Sequence, residues 1–241
     1  MTPDELHAAA AAWIAVDPDP GTREELAELL RAGDDARLAD HVGRRLGFGT
    51  AGLRGRRGPG ANRMNRLVVR QTTEGPAPYP LPRRRAPPAC VVGGRDGRHG
   101  SAPFADEVVR TLSGHGIPVR RFDGPVPTPL VAVAVRLLGA TAAVMVTASH
   151  NPPGDNGLKV FLADGAQLRT PDDAEIAAAI DAVAAEDRAR GRPDGDPSAT
   201  RADVEVLGTA TSGAVTDRYV RRALGLGAGP PARAVPLALT A

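Results

Sequence analysis

A serine, a histidine and a lysine lie close together in one short stretch of this chain. It reads Thr147-Ala148-Ser149-His150-Asn151-Pro152-Pro153-Gly154-Asp155-Asn156-Gly157-Leu158-Lys159. Ser149 follows almost directly on the apolar run Ala142 to Val146, and polar and cationic groups lie within ten residues on its far side. A serine so placed can be exposed, rigidly held and surrounded by donors, as a phosphate-carrying nucleophile must be. The apolar run suits a buried parallel strand, and open α/β sheets bind ligands outside the carboxyl ends of such strands. Pro152 and Pro153 fix φ and remove two backbone donors, so the loop is stiff and barred from helix. Asn156-Gly157 is a strong turn dipeptide. A hairpin-like return through it brings Lys159, in the second apolar stretch Leu158 to Leu162, back towards Ser149. The same residues also describe a proline-stiffened turn between two strands with no chemistry, and the physical pattern alone leaves both readings open.

The rest of the chain must position this loop. Thr2-Pro3-Asp4-Glu5 is a capping box with proline at the first helical position, leading into an Ala-rich helix with Trp13 and Ile14. Thr22-Arg23-Glu24-Glu25 repeats the device before Leu26, Leu29 and Leu30, and Gly33 can end that helix. Asp35 to Leu46 forms a third segment. Beyond it strands and helices alternate. Cys90 to Gly93 and Ile117 to Phe122 read as strands. Ser101 can cap a helix with Phe104, Val108 and Leu112 on one face and Gly114 past its end. Thr128-Pro129 starts a helix that stops before Gly139, and Thr170-Pro171-Asp172-Asp173 caps one with Ile176, Ile180 and Val183 on one stripe. This order predicts an α/β fold: a three-layer α/β/α domain with a mostly parallel sheet, preceded by a helical extension. The expected boundaries are 1–46 for the extension, 47–187 for the α/β/α domain, and 188–241 for a polar linker and the start of a second domain. In the last segment, Asp217 to Leu224 can form a helix.

Composition narrows the class. The 241 residues are 42% hydrophobic, enough for a real core, but only 3% aromatic. Gly and Pro, 28 and 23 residues, are both abundant; with the Ala and Arg content this reads as codon bias. A net charge of +2 is too small to imply nucleic acid. Cys90, the single cysteine, reads as a core residue, gives no disulfide framework and suits a reducing compartment. No run approaches the ~18 apolar residues of a membrane span, and no leader pattern opens the chain. A cytoplasmic protein without membrane or nucleic-acid partners is expected.

The motif T-A-S-H-N-P-P-x-x-N-G-x-K resembles the active-site serine loop of the α-D-phosphohexomutases, the phosphoglucomutase/phosphomannomutase superfamily. Three other segments resemble that family in order and spacing: Phe48-Gly49-Thr50-Ala51-Gly52-Leu53-Arg54-Gly55, Val92 to Ser101, and Pro127-Thr128-Pro129-Leu130. The Thr-Ala-Gly version of the first and the helical extension look most like the longer bacterial phosphomannomutases and their phosphoglucomutase/phosphopentomutase relatives. The resemblance implies that Ser149 carries a phosphate in the resting enzyme and passes it to a sugar phosphate. The bisphosphate formed turns over in the site and returns its other phosphate. Phosphate then moves between the 1- and 6-positions of a hexose. The resemblance implies that Lys159 and His150 hold or neutralise the phosphate and that Arg54 aligns the acceptor hydroxyl and assists proton transfer. Each has a plainer reading as a solvated loop or surface residue. Arg95 and Asp96 read as a strand-end ion pair or helix-entry contact. Gly58-Pro59-Gly60 is only a faint phosphate loop, since no G-K-S/T follows.

The family's cofactor is Mg²⁺, and a hexose bisphosphate is its primer and intermediate. By resemblance the phosphate on Ser149 is one metal ligand. The family's further loops, D-G-D-x-D-R for the metal, a G-E motif for the sugar and R-x-S-G-T for the substrate phosphate, do not occur in these 241 residues. Asp194-Gly195-Asp196 is a decoy, since Pro197-Ser198-Ala199 supplies no third carboxylate. The chain is therefore expected to be an N-terminal portion, inactive alone. It would be either truncated or one half of a split enzyme, completed by a second chain that supplies the missing domains. The alternative is a non-catalytic domain that binds phosphate or a partner, or a decayed remnant.

One segment conflicts with the fold. Pro76, Pro78, Pro80, Pro82, Pro87 and Pro88 fall between Gly75 and Cys90, where the family continues the helix begun at Asn65. An interior proline costs about 3 kcal/mol. Residues 75–89 read either as a PPII-like surface loop or as an altered reading frame. The abrupt return of resemblance at Val91 favours the second. A basic patch at Arg83-Arg84-Arg85 lacks an aromatic platform beyond Tyr79.

Overall fold

In the computed structural model, residues 1–75, 90–190 and 202–227 are described. The proline-rich segment from Pro76 to Ala89, the Asp194-Gly195-Asp196 decoy and the final Pro236 to Ala241 stretch lie outside the described residues.

Three helices open the chain: α1 (Pro3–Val16), α2 (Pro20–Ala32) and α3 (Asp35–Val42). The capping box at Thr2 forms in both directions, with the Glu5 N–H donating to Thr2 Oγ1 and the Thr2 N–H to Glu5 Oε2. The second box does not form. α2 starts earlier, with Asp19 as its cap and Pro20 in the first turn, where a missing N–H costs no hydrogen bond. The Thr22 hydroxyl donates instead to the buried Asp17 carboxylate at 2.8 Å. That carboxylate also receives Trp13 Nε1 and the Asp19 N–H, and burial pushes its pKa up.

The remaining elements are β1 (Leu53–Arg56), α4 (Arg66–Glu74), β2 (Val91–Arg95), α5 (Ser101–Gly114), β3 (Val119–Pro125), α6 (Thr128–Leu137), β4 (Ala142–Val146), β5 (Asp155–Leu162), α7 (Asp172–Arg190), β6 (Val204–Leu207) and α8 (Thr209–Gly227). Among the described residues the strands form one six-stranded sheet in the order β1-β5-β4-β2-β3-β6. The pairs β4-β2, β2-β3 and β3-β6 are parallel, whereas β4-β5 and β5-β1 are antiparallel. The expected α/β architecture is present. Val91, Val119, Val144 and Val146 face α4, α5 and the N-terminal helices, and Val92, Phe122, Ala143 and Met145 face α6 and α8. The segment expected to be linker and second domain contributes β6, an edge strand of this same sheet, and α8, which packs on α6 and is much longer than Asp217 to Leu224.

Several local expectations are corrected. Ser101 is the first residue of α5 rather than its cap; Gly100 caps it at φ 82°, and the Ser101 hydroxyl donates to Asp96 at 2.6 Å. Gly114 is still helical, and Gly116 adopts the left-handed conformation beyond it. Asn156-Gly157 is not the turn but lies inside β5; the chain reverses earlier, where the Asp155 N–H donates to the Pro152 carbonyl. Gly58-Pro59-Gly60 is a packing loop: the Gly58 and Gly60 carbonyls accept from Asn65 Nδ2 and the Pro59 carbonyl bonds His41 Nδ1. Cys90 is half-buried, just ahead of β2 and packed against the core.

α7 is fastened to α4 by charge. Arg70 Nη2 and Gln71 Nε2 both donate to Asp187 Oδ2, at 2.7 and 2.8 Å. The Arg70 and Asp187 side chains are only 4% and 7% exposed. Removing one partner of a buried pair strands the other, so Asp187→Ala is expected to lower stability by about 3–5 kcal/mol. A urea midpoint checks this; a loss below about 1 kcal/mol, the range of an exposed pair, contradicts it.

Candidate functional site: the serine loop at the carboxyl edge of the sheet

β4 is buried along its whole length, and Thr147 and Ala148 continue that burial before the chain surfaces at Ser149. The Thr147 N–H donates to the Gly157 carbonyl at 2.9 Å, and Thr147 Oγ1 accepts the Ser149 N–H at 2.8 Å. Ser149 is exposed and has φ 61°, the only non-glycine positive φ among the described residues. That conformation costs a side-chain-bearing residue of order 1–3 kcal/mol and persists only where its surroundings impose it. The turn is closed by Asn151 N–H to the Ala148 carbonyl, and by Asn151 Nδ2 to Asp155 Oδ2. His150 Nδ1 lies 3.2 Å from Ser149 Oγ, within reach of a proton exchange.

Arg54 and Lys159 form a second pair. Arg54 sits opposite Gly157 in the β1-β5 ladder, and Lys159 is two residues further along β5, on the same face. α6 covers β2 and β4 more fully than β5, and both side chains are half-buried there. Burial, and then the positive charge of Arg54, push the Lys159 pKa down. Arg54 Nε is buried without a hydrogen-bond partner. Among the described residues neither cation has a carboxylate partner. Two adjacent cations without an anion are electrostatically unfavourable, and an oxyanion brought between them relieves both. The structure thus joins Ser149 to His150 in the loop after β4, and Arg54 of β1 to Lys159 of β5; no hydrogen bond joins Ser149 directly to either cation.

Gly157 makes this arrangement possible. A Cβ there would lie 2.3 Å from the Leu53 carbonyl oxygen, 3.0 Å from the Thr147 oxygen and 3.0 Å from Arg54 Cγ. Gly157→Ala is expected to cost about 1–3 kcal/mol by overpacking and to displace the Thr147 end of the loop. Thermal unfolding checks it, and an unchanged midpoint contradicts it.

The residue that sequence reading passed over is Arg98. Its guanidinium donates to four loop carbonyls: Ser149 and Asn151 at 2.8 Å, Pro152 at 2.9 Å and Asp155 at 3.4 Å. Its Nε lies 3.3 Å from Asp96 Oδ2. Asp96 therefore makes both contacts expected of that strand end, but its ion partner is Arg98, not Arg95. The Val92 to Ser101 motif contained Arg98; nothing in its spacing named the partners.

The donors among the described residues do not by themselves fit a magnesium ion. Among the described residues no three His, Cys, Asp or Glu side chains are grouped to hold a metal. The carboxylates nearest the loop, Asp96 and Asp155, are engaged by Arg98 with Ser101 and by Asn151. Nor is any helix among the described residues long and apolar enough to cross a membrane.

Fold and site together define an α/β/α domain that presents a serine loop at the carboxyl edge of its sheet. Residues 45–187 match the phosphoglucomutase/phosphomannomutase alpha/beta/alpha domain I, and the chain belongs to that family. It is similar to the "Probable phosphoribomutase" of Schizosaccharomyces pombe, with 42% identity over 172 residues, covering 70% of this chain and 29% of that protein. It is 38% identical over 185 residues to the phosphopentomutase of Homo sapiens, covering 71% and 29%. It is 40% identical over 185 residues to the glucose 1,6-bisphosphate synthase of Mus musculus, covering 73% and 30%. The solved structure of a phosphoglucomutase/phosphomannomutase family protein from Burkholderia thailandensis shares the fold, with a TM-score of 0.54 at 24% identity, over 74% of this chain and 35% of that one. The chain spans less than a third of the length of the curated relatives it matches.

Proposed function

We propose that this chain provides the phosphoserine domain of a phosphomutase that moves phosphate between the 1- and 6-positions of a hexose phosphate. The observation that carries the reading is Ser149, exposed in a left-handed conformation just past a buried strand whose neighbour β5 carries Lys159, paired with Arg54 of β1 and without a carboxylate partner. Phosphoryl transfer is mainly positioning and charge neutralisation, and this site is built for both. A sugar hydroxyl attacks the phosphorus on Ser149; the new O–P bond forms as the serine O–P bond breaks. The hydroxyl proton leaves and Ser149 Oγ is reprotonated, with His150 Nδ1 at hand as the carrier. Arg54 and Lys159 balance the charge that builds on the transferring oxygens. A hexose bisphosphate loads Ser149 by the reverse step. A magnesium ion would find one ligand here, the phosphate of Ser149, and would need carboxylates from outside these residues; no step above depends on it.

The names of two relatives, a probable phosphoribomutase and a phosphopentomutase, favour a second reading, in which the sugar is a pentose phosphate. The site is expected to act in the cytoplasm on soluble sugar phosphates. The 241-residue chain alone is expected to turn them over negligibly, and a polypeptide carrying the family's metal and phosphate-clamp loops is the partner that would restore turnover. A coupled assay of the pure chain on glucose 1-phosphate, mannose 1-phosphate and ribose 1-phosphate, with and without such a polypeptide, tests this. Serine-dependent turnover only in the mixture supports the reading, and the preferred sugar decides between hexose and pentose. Robust turnover by the chain alone overturns the claim of inactivity. No turnover in either case leaves a phosphate-binding or partner-binding domain.

A further inference from the structure

We propose that Arg98 is the positioning residue of the serine loop, the group that imposes the left-handed backbone on Ser149. The inference rests on the reading of Ser149 as the phosphate carrier. Its structural half stands on the hydrogen bonds alone.

A guanidinium is a planar fork with five donors and suits several carbonyls at once, whereas an ammonium is a single point charge. Arg98 uses this fork on the backbone of the loop rather than on a carboxylate across the site. Nη2 binds the carbonyls of Ser149 and Asn151, and Nη1 those of Pro152 and Asp155. These four oxygens span the whole reversal between β4 and β5, so fixing them together fixes the turn. The base of the fork is anchored in turn. Nε meets Asp96 Oδ2, and Asp96 Oδ1 accepts both the Arg98 N–H at 3.0 Å and the Ser101 hydroxyl at 2.6 Å. The Ser101 hydroxyl also bonds Asn156 Nδ2, at 3.0 Å, on β5. The loop is therefore held from the end of β2 through Arg98 and from the start of α5 through Asn156. The Arg98 side chain is 16% exposed, sheltered enough for charge-assisted hydrogen bonds to outcompete water.

The local conformation gives the clamp its purpose. Ser149 bears a Cβ in a backbone region that such residues avoid, and its one local backbone tie is the Thr147 hydroxyl on its N–H. Arg98 holds the other side of the residue, its carbonyl. Without it the loop is free to relax to negative φ, which rotates the Ser149 side chain away from its place beside His150. Arg98 touches no reacting atom.

Hydrogen exchange on the 241-residue chain tests the proposal directly. In Arg98→Ala the amides of Ala148 to Asn151, Gly154 and Asp155 should exchange at least about tenfold faster, the loss of one or more charge-assisted bonds, while those of α1 and α2 stay as in the parent. Arg98→Lys should exchange nearly as fast as Arg98→Ala. Millimolar guanidinium should slow the loop of Arg98→Ala again, which it cannot do for a protein that is merely less stable. Unchanged loop exchange in Arg98→Ala, or full protection in Arg98→Lys, overturns the proposal. The same samples are then incubated with glucose 1,6-bisphosphate, and phosphate on Ser149 is followed by mass. Uptake in the parent, slowed about tenfold or more in Arg98→Ala and recovered by guanidinium, ties the clamp to the chemistry. A parent that takes up no phosphate counts against the phosphoserine reading, and the exchange data still decide the role of Arg98.

Discussion

Ser149→Ala is expected to abolish covalent phosphate uptake altogether. The alanine variant keeps the loop, since the Thr147 hydroxyl and the Arg98 fork hold backbone atoms rather than the serine side chain. Its stability should match the parent within about 0.5 kcal/mol, as for other exposed substitutions. Loss of uptake with an unchanged unfolding midpoint assigns the nucleophile. Uptake that persists in the variant places the phosphate elsewhere. A large fall in stability means that the hydroxyl is a structural group.

Arg54→Met should have the second largest effect, slowing phosphate transfer by about a hundred- to a thousandfold, the range for removing one preorganised donor aimed at developing charge. Methionine keeps much of the apolar stem that fills the space over Gly157, so packing survives. The substitution also has a titration signature. A neighbouring positive charge disfavours the protonated lysine, so removing Arg54 raises the Lys159 pKa, though burial, the larger cause, continues to hold it below the ordinary value. NMR titration of the Lys159 side chain should show the rise. A slowed transfer without any rise separates Arg54 from Lys159, and an unslowed transfer removes Arg54 from the chemistry.

What was legible in the sequence was local. The apolar run before Ser149, the two prolines after it and the antiparallel return of Lys159 lie within one hairpin, and the structure forms it with Met145 beside Lys159. The order of strands and helices likewise gave the layers, because each helix carries its own apolar face. What was not legible depends on partners far along the chain. Gly157 read as half of a turn because its dipeptide is a turn signal, but its place in the fold is set by the Leu53 carbonyl arriving from β1. Arg98 showed only a charge in a Gly-rich strand end; its four acceptors are 51 to 57 residues away. Ser101 had the composition of a cap, yet Asp96 claims its hydroxyl. Arg70 and Asp187, 117 residues apart, had no sequence signal at all. Each of these is a polar contact whose specificity comes from geometry, whereas periodicity records only burial.

The account rests on Ser149 accepting a phosphoryl group, and one measurement tests that most directly. The pure chain is incubated at length with glucose 1,6-bisphosphate, digested, and its phosphopeptides mapped. Loading is a single event that accumulates, so it remains observable where turnover is negligible. One phosphate is expected, on the peptide spanning the serine loop and localised to Ser149, and none in Ser149→Ala. Phosphate on another residue, or a parent loop that stays unmodified while the chain is folded, would contradict it.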